Sequence, residues 1–345
     1  MAQKQERVRK LVAFIAVQFG QKDEVIRTCD RAAALCKADL LTGIVGEFPE
    51  LQGIMGGEYA KHDGESEEVS LAIREQYLPC AIEGELPQTL PGQILSMADR
   101  FDSIAAFFHV GMTPTGSEDP FALRRHATAI VRVVLAGNLR LDLGPVIDQA
   151  RAAVRDHGFK AAPDAEAQGK RRITDFLFER MRHYGRTVHG LRDDVMEAVL
   201  RSASTSAVDL VDLVSKMNAL QAVTARPEFD PLIVGFKRAS RIVEKEQWDR
   251  APVDAALFKD SSETELHRQM GTCRREFDRQ MGRGQYDKAL EALVRLKPAI
   301  DAFFDGVMVN AEDAVLRRNR LSLLKDVEAF FKSFADFSRI VVQGS

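Results

Sequence analysis

Apolar residues recur along most of the chain at the spacing of a helix rather than that of a strand. In residues 5–19 they fall at Val8, Leu11, Val12, Ile15 and Phe19, steps that line up on one face of a 3.6-residue helix. The period continues over 24–46 and predicts a second helix. Further helices are predicted over about 67–77, 91–110 and 120–137, with shorter ones filling 170–222. In the last third, Leu324, Val327, Phe331 and Phe334 step by three or four and give one aromatic-rich apolar face. No alternating run predicts a strand, and no repeat is visible, so the pattern predicts an all-α chain with at most a minor strand. The interruptions are equally informative. Pro49 and Gly46, Gly53, Gly56 and Gly57 break the pattern at a density that predicts close backbone packing or repeated turns. Residues 62–66 are a polar loop, 159–169 have linker composition, and "TARPEFDP" at 224–231 is a further break.

Composition narrows the class. A chain of 345 residues with 45% hydrophobic residues supports two or three domains with a sizeable core. Lys and Arg number 48 against 51 Asp and Glu, a net charge of -3, so any basic surface must be local. Cys29, Cys36, Cys80 and Cys273 form no C-x-x-C pair, which argues against zinc and for reduced, buried thiols in a cytoplasmic protein. The apolar run Leu11–Val17 has no small-residue cleavage site after it and reads as helix, not as a signal peptide. No segment approaches 18 uninterrupted apolar residues, so no membrane partner is expected.

Six stretches carry candidate chemistry. "TPTGSEDPFALRRHA" (113–127) supplies Asp119 as a helix cap, Pro120 for the first turn, and Arg124 and Arg125 one turn in. Free helix amides beside guanidinium groups favour an anion, whereas the plainer reading is a capped corner whose arginines pair with acids. His62-Asp63 evokes metal-dependent phosphohydrolases of the HD type, but that chemistry needs several converging His and Asp ligands. Asp99 and Asp102 share a helix face at i, i+3 and are read as an ion-paired face before a metal site. Basic clusters lie at Lys170–Arg192, with seven cations against Asp175 and Glu179, at Lys237, Arg238 and Arg241, and at Arg317, Arg318 and Arg320. Each alone is an ordinary charged helix face; together they favour a polyanionic partner. On Arg317–Arg320, positions 317 and 320 share a face while 318 points about 100° away, so one face is expected to meet RNA and the other to pair with Glu312, Asp313 or another acid. Nucleotide-binding glycine loops, H-E-x-x-H and G-x-S-x-G are all missing, so no catalytic residue and no metal ligand is assigned.

"KADLLTGIVGEFPELQGIMGGEYA" and "LSMADRFDSIAAFFHVGMTPTGSEDPFALRRHA" closely resemble the beta subunit of bacterial glycyl-tRNA synthetase. "FKRASRIV", "FFDGVMVNAEDAVLRRNRLSLL" and "ADFSRI" resemble the helical anticodon-binding domain shared with arginyl-tRNA synthetases. The resemblance implies an HD-like helical domain at 1–158, a helical connector at 159–225 and an anticodon-binding helical bundle at 226–345, matching the C-terminal half of the longer subunit. It also implies tRNA(Gly) and a separate catalytic alpha subunit as partners. ATP and Mg would then be used by that alpha subunit, and no cofactor would be bound by this chain. The tRNA-binding residues would be Arg124, Arg125, Lys237, Arg238, Arg241, Arg317, Arg318 and Arg320. Rival readings are an HD-type metal-dependent phosphohydrolase and a helical scaffold for the alpha subunit. The usual HD metal-binding histidines are not evident.

Overall fold

The computed structural model describes residues 1–342 apart from 82, 205, 206, 247, 249 and 250. Among the described residues there is no strand, only an isolated bridge between Thr115 and Glu118, and the chain is all-α as the periodicity predicts. The helices are α1 (Ala2–Gln18), α2 (Asp23–Leu35), α3 (Gly43–Glu47), α4 (Ile54–His62), α5 (Glu67–Glu75), α6 (Leu90–His109), α7 (Leu123–Ala136) and α8 (Leu143–Asp156). They continue as α9 (Ala165–His189), α10 (Asp193–Ser202), α11 (Leu210–Thr224), α12 (Phe229–Lys245), α13 (Ser261–Met281), α14 (Tyr286–Val294), α15 (Lys297–Gly306) and α16 (Ala314–Lys332).

The chain divides into two compact units: Met1–Tyr184 with Ser204–Val211, and Gly185–Ala203 with Asp212–Ser345. The division therefore falls inside α9 and not at the linker-like stretch 159–169. That stretch is pinned to the first unit. The Ala162 amide donates to the His109 carbonyl at 2.8 Å, and the His109 ring bonds the Phe159 carbonyl at 2.9 Å. Where short helices are expected from 170, the structure has one helix of 25 residues.

In the first unit α6 is the central element. Thr89 caps it by accepting from the Gly92 amide, with proline in its first turn. Ile94, Leu95, Met97, Phe101, Ile104 and Phe108 are buried around its circumference, the pattern of a helix surrounded by others. α1, α2, α5, α7 and α8 pack against it, and the α1 stripe Val8, Leu11, Val12 and Ile15 is fully buried. The predicted helix 24–46 is shorter in the structure: α2 stops at Leu35. Lys37 is turned inward to Gln76 and the Tyr77 hydroxyl, at 3.0 and 3.1 Å. Asp39 is turned inward to the Gly53 amide at 2.6 Å. These tertiary bonds outweigh local propensity. The dense glycines act as expected at two positions. A Cβ on Gly56 would come within 2.9 Å of Ile73, and one on Gly57 within 2.9 Å of the Ser70 carbonyl, so α4 and α5 touch at backbone distance.

In the second unit α12 and α16 run antiparallel. Ser240 donates to Glu328 at 2.8 Å and the Trp248 indole to Ser322 at 3.1 Å, so rising numbers on one helix meet falling numbers on the other. Phe236 stacks on Phe331 with centroids 5.1 Å apart. α13 meets this pair edge to face through Phe277 and Phe330 at 5.2 Å. Leu324, Val327, Phe331 and Phe334 are all buried, as their spacing predicts.

Candidate nucleic-acid interface

The 113–127 corner is built by Asp119. Its carboxylate accepts from the Leu123 and Arg124 amides at 2.8 and 2.9 Å. The helix thus begins at Leu123, not at residue 120; Pro120 and Phe121 lie in the turn before it, and Ala122 has φ of +53°. The carboxylate occupies the amides that an anion would have used. Arg124 folds back onto the carbonyls of Gly116, at 2.8 Å, and Glu118. Arg125 is exposed, and its side chain has no hydrogen bond or ion pair among the described residues. The pair that looks alike in sequence is therefore split into a loop clasp and an open cation.

The metal candidates resolve into ion pairs or solvent. Asp99 lies 3.0 Å from the Lys4 ammonium and 3.2 Å from that of Lys37. Asp102 takes Arg7 at 2.6 Å and Lys4 at 3.2 Å. Burial tends to raise the pKa of Asp99, but the two ammonium groups reverse this and hold it well below the carboxylate range. Two cations thus sit against the carboxylate that a metal ion would need. His62 and Asp63 are exposed at the end of α4, and among the described residues their side chains meet only each other, at 3.3 Å. Among the described residues no three His, Cys, Asp or Glu side chains gather as a metal site. Of the thiols, Cys29, Cys36 and Cys273 are buried, whereas Cys80 is exposed, contrary to expectation.

The run Lys170–Arg192, the densest in the sequence, is largely neutralised. Lys170 pairs with Asp148 at 2.5 Å and Arg171 with Asp175 at 3.7 Å. Arg180 pairs with Glu179, Arg186 with Asp193 at 2.5 Å and Arg192 with Asp194 at 2.6 Å. Arg172 lies over the Phe108 ring, 5.8 Å from its centroid.

The α12 and α16 clusters behave differently. Lys237 donates to the Ile340 carbonyl at 2.8 Å. Arg238 is exposed and its guanidinium lies 4.4 Å from the Phe304 centroid. Arg241 and Arg318 are exposed and Arg317 half-buried, and none of their three side chains has a hydrogen bond or ion pair among the described residues. Arg320 is the exception: it is buried, donating to Glu263 at 2.9 and 3.3 Å and to the Met308 carbonyl at 2.8 Å. It is therefore part of the core, with Glu263 as the acid it pairs with, while Asp313 caps α16 through the Val315 and Leu316 amides. Sequence reasoning missed Lys245, exposed and one turn beyond Arg241, although the spacing 237, 241, 245 carries that signal. It also missed Phe304, on which Arg238 is stacked. An open guanidinium on a ring, with further cations along the helices, can pair with phosphate and stack on a base.

The family described as "Glycyl-tRNA synthetase beta subunit" matches residues 1–201, and "DALR anticodon binding domain" matches residues 232–337. The chain is 41% identical over 341 residues to a glycine–tRNA ligase beta subunit of Myxococcus xanthus, covering 98% of this chain and 48% of that protein. It is 43% identical over 343 residues to that of a Geobacter species, covering 98% and 47%. For the Ralstonia nicotianae protein the identity is 39% over 337 residues, covering 97% and 47%. The chain thus spans about half the length of the curated relatives it matches.

Proposed function

The chain belongs to the glycyl-tRNA synthetase beta subunit family, and we propose that it binds and orients tRNA(Gly), including its anticodon, for glycylation by a separate alpha subunit. The observation that carries this reading is the set of unneutralised cations on α12 and α16, Arg241, Lys245, Arg317 and Arg318, all within the residues matched by the anticodon-binding description. Beside them Arg238 on Phe304 offers a stacking platform for an unstacked base. Glycine anticodons share two cytosines, whose amino groups call for acceptors. The exposed carboxylates Asp305 and Glu312 flank this stretch. In this reading ATP and Mg are handled by the alpha subunit, the chain itself does not charge tRNA, and the setting is the cytoplasm. That no helix of the described residues is long and apolar enough to cross a membrane is compatible with it. The metal-phosphohydrolase reading loses its support where Lys4 and Lys37 occupy Asp99.

The test is a salt titration of binding to tRNA(Gly) and to an anticodon-swapped control, with Arg241→Gln, Arg317→Gln and Arg318→Gln made singly. A lost phosphate contact should lower the slope of log affinity against log salt by about 0.7 to 0.9. A lost base contact should weaken binding by about 1–3 kcal/mol for the cognate anticodon alone. If every variant binds both RNAs like the parent, the face is solvated and the anticodon assignment fails.

A further inference from the structure

In the first unit, a cavity of about 280 Å³ opens between the turn at Gln52, the 77–80 loop, α6 and α7; Tyr77, Cys80, Asp99, Arg100, Arg125 and His126 contribute to its wall. Its charges do not balance. Arg100 is 7% exposed and donates only to uncharged oxygens. These are the carbonyls of Gln76, Tyr77 and Pro79 and both oxygens of Ser96, at 2.6 to 3.3 Å. No carboxylate pairs with it among the described residues. Burial, only partly offset by Asp99, pulls its guanidinium down to about 10, so it remains a cation at neutral pH.

Its neighbour on the wall, Asp99, is already engaged by Lys4 and Lys37. Of the charged groups on the wall, Asp99 is thus already compensated by lysines, whereas Arg100 and Arg125 have no carboxylate partner among the described residues, an excess of two positive charges. His126 adds none: burial and then Arg100 pull it down to about 4, leaving it neutral. A buried cation without a counter-charge is costly to keep.

We propose that this cavity binds a phosphate monoester, with Arg125 at the mouth as its direct ligand and Arg100 supplying positive potential from behind. A monoester carries close to two negative charges at neutral pH, which matches the local excess; a diester carries one. Guanidinium is suited to this partner because its planar fork pairs with two phosphate oxygens. The volume lies below the roughly 300–1000 Å³ of ordinary ligand pockets, so the cavity takes the phosphate and a small part of what carries it. Two sources present the same group: the 5′ end of an RNA, and a free nucleotide or inorganic phosphate. The inference does not depend on how the second unit reads an anticodon.

The experiment is calorimetric titration of the 345-residue chain with inorganic phosphate in a chloride buffer. Saturable one-to-one binding is expected. It should weaken at least tenfold in Arg125→Gln and persist in Arg171→Gln, a surface control on α9; circular dichroism confirms that both variants fold. A second arm compares tRNA(Gly) with and without its 5′ phosphate. A several-fold loss on dephosphorylation that vanishes in Arg125→Gln assigns the site to an RNA end. Equal affinity of the two RNAs, with phosphate binding intact, assigns it to a free anion. Failure of the chain to bind any tRNA would sink the anticodon reading and leave the phosphate arm readable. Absence of saturable phosphate binding together with indifference to the 5′ phosphate overturns the proposal, as does phosphate binding untouched by Arg125→Gln.

Discussion

Arg320→Met removes the guanidinium from the interior of the second unit while keeping the apolar stem that packs there. Glu263 is fully buried. It accepts two bonds from Arg320 and one each from the Lys259 and Asp260 amides, both at 2.9 Å. The two amides remain in the variant, but the only counter-charge that touches the carboxylate among the described residues is gone. Breaking a buried pair from one side costs about 3–5 kcal/mol, because the surviving charge is left in a poorly solvating medium. For a unit of this size that is a fall of roughly 6–20 °C in Tm, taking about 2–4 °C per kcal/mol. The assay is built into the chain. Trp248 is its single tryptophan, lies in the second unit and donates to Ser322 on α16, so its fluorescence during urea unfolding reports this unit. The pH dependence has a definite sign. In the parent, burial pushes the Glu263 pKa up and Arg320 with the two amides brings it below the carboxylate value. A depressed pKa gives stability that is present above the unfolded value of about 4.3 and is lost as pH falls through the folded one. In Arg320→Met burial is no longer opposed by a cation, so the deficit relative to the parent should shrink from pH 7 to pH 4. The double variant with Glu263→Met should recover most of the loss, since an apolar pair of similar volume leaves no charge behind. A single variant within about 0.5 kcal/mol of the parent at pH 7 would refute the structural role and return Arg320 to the surface set.

Two other perturbations probe the first unit. Gly57→Ala should cost about 1–3 kcal/mol, because its Cβ would press on the Ser70 carbonyl and on Arg74, neither of which yields easily. Gly46→Ala, with nothing within 4 Å of the added methyl, should be neutral or stabilising by up to about 1 kcal/mol; equal effects in thermal melts would show that glycine density here does not reflect packing. Asp99→Asn should destabilise by about 3–5 kcal/mol at pH 7, because the buried Lys37 loses its carboxylate. Asp99 titrates below its unfolded value, so the parent should lose this stability as pH falls below about 4, while the variant shows a flatter acid limb; parallel acid limbs would contradict the ion pair.

Local period carried far in this chain because most of its apolar faces bury against other helices. The α1 stripe and the Leu324–Phe334 face were legible for that reason, and so was the α6 start, where Thr89 and a first-turn proline act within one turn. What failed depended on specific partners that period does not show, most of them remote in sequence. α2 ends at Leu35 because Lys37 finds Gln76 and Asp39 finds Gly53. α7 starts three residues late because Asp119 reaches the amides of Leu123 and Arg124 across a turn. Arg317 and Arg320 share a helix face by spacing, yet only Arg320 meets an acid, and that acid lies 57 positions away. The stretch 159–169 has linker composition, but the Phe159 carbonyl and the Ala162 amide within it bond to His109.

The candidate interface therefore depends on neutralisation and not on charge density. Lys170–Arg192 is the densest basic run of the sequence, but acids lie within reach of its bases, and a cation already paired gains little from a phosphate because the first partner must be given up. Arg241, Lys245, Arg317 and Arg318 have no such partner to lose among the described residues. Salt dependence distinguishes the two cases, because only phosphate neutralisation by the protein releases the counterions of the RNA. If these four residues make the contacts of the second unit, their joint removal should lower the slope of log affinity against log salt by about 2.8 to 3.6, at about 0.7 to 0.9 per contact. Joint replacement of Lys170, Arg171, Arg186 and Arg192 should leave the slope close to that of the parent. The opposite ranking would mean that the ion pairs of the dense run open when RNA arrives, and that neutralisation in the free protein is no guide to where RNA binds.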